Sequence, residues 1–145
     1  MKRLTAVGLG LLLVAAAACG GGSSDGTIVT PTGTVVTDTF TGTVALPVAG
    51  VLQADIHNFT VAVAGTVSVT LVSAGPPSTI TMLLGIGNPS STGSCSLLSG
   101  GSTAAVAGST AQLSGSVPAG GYCVVVADLG NALQPITYTV TVAHT

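Results

Sequence analysis

The sequence predicts an all-β domain, and three observations predict it. Apolar residues alternate with Thr, Ser and other polar residues at period two through most of the chain after residue 26. Turn signals rich in Gly, Pro, Asn and Ser interrupt that alternation at short, regular intervals. No stretch in this region carries a helical period with caps. The one Ala-rich piece, Thr103 to Ala111, is broken by Gly108 and lacks long apolar side chains. Short strands at this spacing argue a β-sandwich or barrel of about eight strands. Because each strand has one apolar face to bury, two packed sheets are expected.

The strands follow in order. Phe40, Gly42, Val44 and Leu46 share one face, with Thr between the first of them. In Asp55–Ala64 the face is Phe59, Val61 and Val63; in Thr66–Ser73 it is Val67, Val69 and Leu71. Ile80, Met82 and Leu84 carry the next segment, Thr79–Gly85, where Leu83 interrupts the polar face. Leu113, Gly115 and Val117 precede a turn, after which Tyr122, Val124 and Val126 repeat the pattern. Ile136, Tyr138, Val140 and Val142 form the last strand, with Thr137, Thr139 and Thr141 outward. The expected turns are Ala64-Gly65, Gly75-Pro76-Pro77-Ser78, Gly87-Asn88-Pro89, Ser99-Gly100-Gly101-Ser102, Pro118-Ala119-Gly120-Gly121 and Gly130-Asn131.

Ahead of this region, residues 1–18 read as a secretory signal. Lys2 and Arg3 supply the positive start, and an apolar run extends from Leu4 to Ala18. At about 1.5 Å per residue that run is too short for a hydrocarbon core about 30 Å thick. Small residues Ala16, Ala17 and Ala18 stand directly before Cys19, an arrangement that resembles the lipobox of bacterial lipoproteins, with Ala16 where the family usually has Leu. The resemblance implies cleavage before Cys19, diacylglycerol on its thiol and acylation of its new amine. Gly20 stands where an Asp would resemble an inner-membrane retention signal, so placement in the outer membrane is expected if the host has one. Residues 19–26 are a Gly/Ser tether by composition, and residues 27–145 form the β domain.

Composition excludes several functions. Charged residues make up 4% of the chain, against about 25% in an average protein. The only basic residues are Lys2 and Arg3, within the signal. Nucleic-acid binding through phosphate neutralisation and a polybasic membrane patch are therefore both excluded. After cleavage the chain carries four Asp and no Lys or Arg, a charge near −4. Its stability must rest on burial, backbone hydrogen bonds and disulfide bonding.

Several motifs resemble a known family in their order. They are Asp55-Ile56-His57-Asn58-Phe59-Thr60-Val61, Gly65-Thr66-Val67-Ser68-Val69, Gly120-Gly121-Tyr122-Cys123-Val124-Val125-Val126 and Tyr138-Thr139-Val140-Thr141-Val142. Over about residues 38–143 this is similar to the bacterial pre-peptidase C-terminal domain family. The resemblance implies a jelly-roll-like antiparallel β-sandwich. It also implies an accessory role, because family members mostly accompany secreted enzymes, often peptidases, and some relatives bind collagen or calcium. Here no peptidase precedes the domain, His57 stands where the family has an aromatic residue, and the acidic clusters of the calcium-binding relatives are absent.

The search for chemistry yields few residues. Gly22-Ser23-Ser24-Asp25-Gly26 matches a nucleophile elbow only formally, since no strand precedes it and no helix follows. Asp55 and His57 share one strand face and are the polar-site candidates, but a metal needs three or four ligands and no third is evident. The bland reading of His57 is a side chain at the start of a strand with its polar tip at the sheet rim. His144 lies where chains usually fray. Asn58-Phe59-Thr60 is a coincidental glycosylation sequon within a strand. All four aromatic residues, Phe40, Phe59, Tyr122 and Tyr138, fall on core faces, which leaves no platform for stacking a sugar.

With Cys19 lipidated, Cys95 and Cys123 remain in an oxidising compartment and are expected to form one disulfide, joining two strands or a loop and a strand. No catalytic, metal or cofactor set is expected. The expected function is that of a lipid-anchored cell-envelope β-sandwich, a non-enzymatic structural or protein-interaction module whose partners are the membrane, through its anchor, and an envelope or extracellular protein. The alternatives are a module binding a matrix protein, a glycan or calcium, or a detached accessory domain of a secreted peptidase.

Overall fold

The computed structural model describes residues 33–145; the expected signal, Cys19 and the whole tether lie outside the described residues. Eight strands and, among the described residues, no helix build two four-stranded antiparallel sheets packed face to face, a β-sandwich. The strands are β1 (Val36–Val44), β2 (Ala54–Val61), β3 (Gly65–Gly75), β4 (Thr81–Pro89), β5 (Cys95–Val106), β6 (Leu113–Val117), β7 (Gly120–Asp128) and β8 (Ile136–His144). One sheet has the order β1-β8-β3-β6 and the other β2-β7-β4-β5. Only β4 and β5 are both consecutive in sequence and paired; every other connection arches from one sheet to the other. The sandwich consequently has two open edges, one between β1 and β2 and one between β5 and β6.

Alternation translates directly into the core. Val67, Val69 and Leu71 of β3, Met82, Leu84 and Ile86 of β4, Val124 and Val126 of β7, and Ile136, Tyr138, Val140 and Val142 of β8 are all buried between the sheets. The Thr residues between them face outward, as period two requires. A register shift between Leu71 and Ser73 turns Ala74 inward, so the apolar face of β3 continues past the bulge. Beyond it the outer edge of β3 is closed by Gln112, whose Oε1 accepts a hydrogen bond from Leu71 N at 2.8 Å and whose Nε2 donates to Leu71 O at 3.4 Å. The amide side chain thus substitutes for a missing neighbour strand.

The structure corrects the expected turns in the middle of the chain. Gly87-Asn88-Pro89 belongs to β4, and the reversal lies at residues 90–94, where Ser90 Oγ accepts from the backbone N–H groups of Thr92 and Ser94. Ser99-Gly100-Gly101-Ser102 is not a turn either; it lies within β5, a twelve-residue strand that alternation did not reveal. Gly101 has a packing cause, whereas Gly100 faces open space at a φ of 70°. A side chain on Gly101 would meet Ile86 O at 2.8 Å, and β4 carries a register shift between Gly85 and Gly87 opposite this stretch. Glycine here marks close backbone approach inside a strand rather than its end. Leu46 is also corrected: it lies beyond β1 and is exposed.

Cys95 and Cys123 form the expected disulfide, between two strands. They are not paired neighbours, because β4 lies between β5 and β7. Their Cα atoms are 6.0 Å apart because the start of β5 folds over the outer face of β4. Gly85 and Gly87 make room for it. A side chain on Gly87 would meet Cys95 Sγ at 2.8 Å, and one on Gly85 would meet Leu97 Cδ2 at 2.6 Å. Leu97, Val125 and the bridge therefore form a small cluster on the outside of this sheet, separate from the main core.

Candidate functional site

Both histidines, Asp38, Asp55 and the Tyr138 hydroxyl gather at the open β1–β2 edge. Inward positions there are Asp38, Phe40 and Gly42 on β1, Asp55, His57 and Phe59 on β2, and Tyr138 and His144 on β8. Edge strands facing each other cannot close this side with backbone bonds, so side chains close it.

Asp55 and His57 do come together, and Tyr138 joins them from the opposite sheet. The Tyr138 hydroxyl donates to Asp55 Oδ2 at 2.7 Å, and His57 Nε2 lies 2.7 Å from the same hydroxyl oxygen. The phenol has one proton, and a carboxylate is the stronger acceptor; His57 Nε2–H therefore donates to Tyr138 Oη. His57 Nε2 and Asp55 Oδ2 are 3.7 Å apart. Asp55 Oδ1 accepts from Ile56 N at 3.0 Å, and the Phe40 ring stacks on the His57 ring with centroids 4.7 Å apart. Gly42 matters through what it lacks: the place a side chain would take is occupied by Asp55 Oδ2 and the Tyr138 hydroxyl. His57 at the sheet rim is thus one end of a hydrogen-bonded chain that runs through the Tyr138 hydroxyl to Asp55.

The Tyr138 phenol is held far above its ordinary value, first by burial, then by its hydrogen bond to Asp55 and by the negative charge of that carboxylate. Raising the folded value makes the neutral phenol part of the native state's stability. That contribution is complete below the unfolded value of about pH 10 and is lost as pH rises toward the folded value. Urea unfolding between pH 9 and pH 12 should therefore show stability falling above about pH 10, by up to ~1.4 kcal/mol per unit for this one proton. The Tyr138→Phe variant should lack that component; identical slopes for the two proteins would refute the assignment.

A second polar pair lies further along the same edge. His144 Nε2 is 3.0 Å from Asp38 Oδ2, and its ring centroid is 5.3 Å from that of Phe59. His144 is buried, contrary to the expectation that it frays, and its Nδ1 has no hydrogen-bond partner. The end of β8 is pinned because Thr145 O accepts from Ala62 N and Val63 N. Sequence reading missed Asp38 altogether; its inward place in the Asp38-x-Phe40-x-Gly42 alternation was the available signal. His57 and His144 do not pair.

Elsewhere, Asp128 is fully buried and caps the β7–β8 loop by accepting from Asn131 N and Ala132 N through Oδ1. At the β5–β6 edge, a cleft of about 210 Å³ has Ile86, Leu98, Leu113 and Val117 as its apolar lining, with Ser and Gly at its rim. Among the described residues no three His, Cys, Asp or Glu side chains converge as a metal cluster. Tyr138 is the third donor at Asp55 and His57. No family model, no curated protein and no solved structure matches this chain.

Proposed function

We propose that the chain is a lipid-anchored cell-envelope protein whose β-sandwich makes contact with another protein and performs no catalysis. The observation that supports contact is an exposed apolar end. Val48 and Val51 pair across a tight turn, with Ala49 and Gly50 both at positive φ. Leu46 and Leu52 flank that turn, and the neighbouring β7–β8 loop adds Leu129 and Leu133. Val48 is 67% and Leu133 93% exposed. The two loops touch, since a side chain on Gly130 would meet Leu52 Cδ2 at 3.6 Å. Contiguous exposed apolar surface of this kind marks interaction sites.

The chain enters the domain at the other end, where Gly33 lies against Thr145 and Val63. The nine residues of β1 separate the two ends, about 30 Å at strand rise. Polar, uncharged outer faces rich in Thr and Ser agree with an extracytoplasmic display module.

The anchoring test is direct. Mature wild-type protein should carry the mass of its acyl chains, and the Cys19→Ser variant should leave the membrane fraction. Wild-type protein without acyl mass would sink the anchor. For the contact, a photo-crosslinking residue at Val51 in intact cells should yield one discrete adduct that the outward Thr137 position does not give. Equal labelling from both positions would remove the reading. A second reading, a ligand-binding module, is favoured by one observation, the convergence of three donor atoms at Asp55, His57 and Tyr138. Calcium fits that site poorly, because it takes six to eight oxygen ligands.

A further inference from the structure

Asp55 Oδ2, His57 Nε2 and Tyr138 Oη form a triangle with sides of 2.7, 2.7 and 3.7 Å. The circle through the three atoms has a radius of about 1.85 Å, so a centre about 2.1 Å from each of them, an ordinary metal–ligand distance, lies about 1 Å out of their plane. Gly42 lies directly against two of the three atoms, Asp55 Oδ2 and the Tyr138 hydroxyl. The site is partly open to solvent, because the side chains of Asp55 and His57 remain 34% and 21% exposed. We propose that these three side chains are the protein ligands of a ferric ion, with solvent completing its coordination.

Four features select that ion. The donors are a carboxylate, a phenol oxygen and an imidazole nitrogen, a hard to borderline set. Both described cysteines are in the disulfide, so no thiolate competes for a soft metal. The phenolic proton must be displaced, which demands a strong Lewis acid. Finally, the chain has no Lys or Arg beyond Lys2 and Arg3, so no Lys or Arg of the domain neutralises Asp55.

The binding step balances simply. The neutral imidazole moves its proton to Nδ1, freeing the Nε2 lone pair. The phenol releases its proton to solvent as the oxygen–iron bond forms, one proton per ion bound. Carboxylate and phenolate then supply two negative charges, and no electron is transferred. Phe40, stacked on His57, holds the imidazole plane in place. Because a proton leaves, affinity must rise with pH.

The test uses the full chain in detergent, titrated with ferric nitrilotriacetate at neutral pH. One ion per chain should bind, with a visible phenolate-to-iron charge-transfer band and an increase in melting temperature. The band should vanish in Tyr138→Phe. The His57→Gln variant, whose fold is checked by circular dichroism, should keep a band but bind roughly tenfold or more weakly; it carries the test if Tyr138→Phe does not fold. Absence of a band in wild-type protein at excess iron would overturn the proposal. So would a band retained in Tyr138→Phe, which would put the iron on Tyr122, or unchanged affinity in His57→Gln.

Discussion

Replacing both bridge cysteines, as Cys95→Ala/Cys123→Ala, is expected to lower stability by roughly 3–4 kcal/mol, the loop-closure value for a bridge of this span. The bridge spans a sequence separation of 28 residues. For a domain of this size that loss corresponds to a fall in Tm on the order of 10–20 °C. It is a large share of the ~5–15 kcal/mol that holds an ordinary domain together. The location adds a local consequence. The bridge lies on the outer face, over the bare backbone of Gly87, and fastens the start of an edge strand. Residues 95–98 of β5 should therefore lose amide protection before the main core does. Chemical unfolding and hydrogen exchange of the two proteins check both statements. A double variant within 1 kcal/mol of wild type would show that the bridge contributes little to the fold.

The second large effect is expected from the smallest substitution. Gly42→Ala places a methyl group where Asp55 Oδ2 and the Tyr138 hydroxyl now sit. Both atoms must move, and the bond between them, made to a charged acceptor, is worth about 1.5–3 kcal/mol. With the accompanying overpacking, a loss of roughly 2–5 kcal/mol follows. The same substitution in an Asp55→Ala background should cost substantially less, because one of the two displaced atoms is then gone. Additive effects would mean that the methyl group acts elsewhere. Gly42 shows no positive φ, so its role is the space it leaves and not backbone strain.

Most of the sandwich was legible because alternation is a local signal. Period two alone places Phe59, Val67, Val69, Leu71, Met82, Leu84, Val124, Val126 and Val140 in the core, and all are buried. The strand that escaped, β5, has small residues at the positions where an apolar face would be read. Its Gly101 serves the close approach of β4 and β5, a property of two segments at once that neither displays by itself. The same holds for Gly87, a turn residue by local sequence whose lack of a side chain makes room for the disulfide above it.

The candidate site was half legible for a related reason. Asp55 and His57 share a strand, so their common face follows from numbering. Tyr138 follows His57 by 81 residues and lies in the other sheet. As an aromatic residue in an alternating strand it read as core, which it is; its hydroxyl is the part that reaches the site. His144 read as a fraying end because nothing local to β8 announces Asp38 or the bonds from Ala62 and Val63 to Thr145. Strand number, strand faces and the presence of a disulfide depend on residue spacing and composition, which any reader of the chain has in hand. Which strands become edges, which side chains meet across them and which glycines make room depend on sheet order. That order is decided by how the apolar faces pack, and packing joins residues that the chain itself keeps far apart.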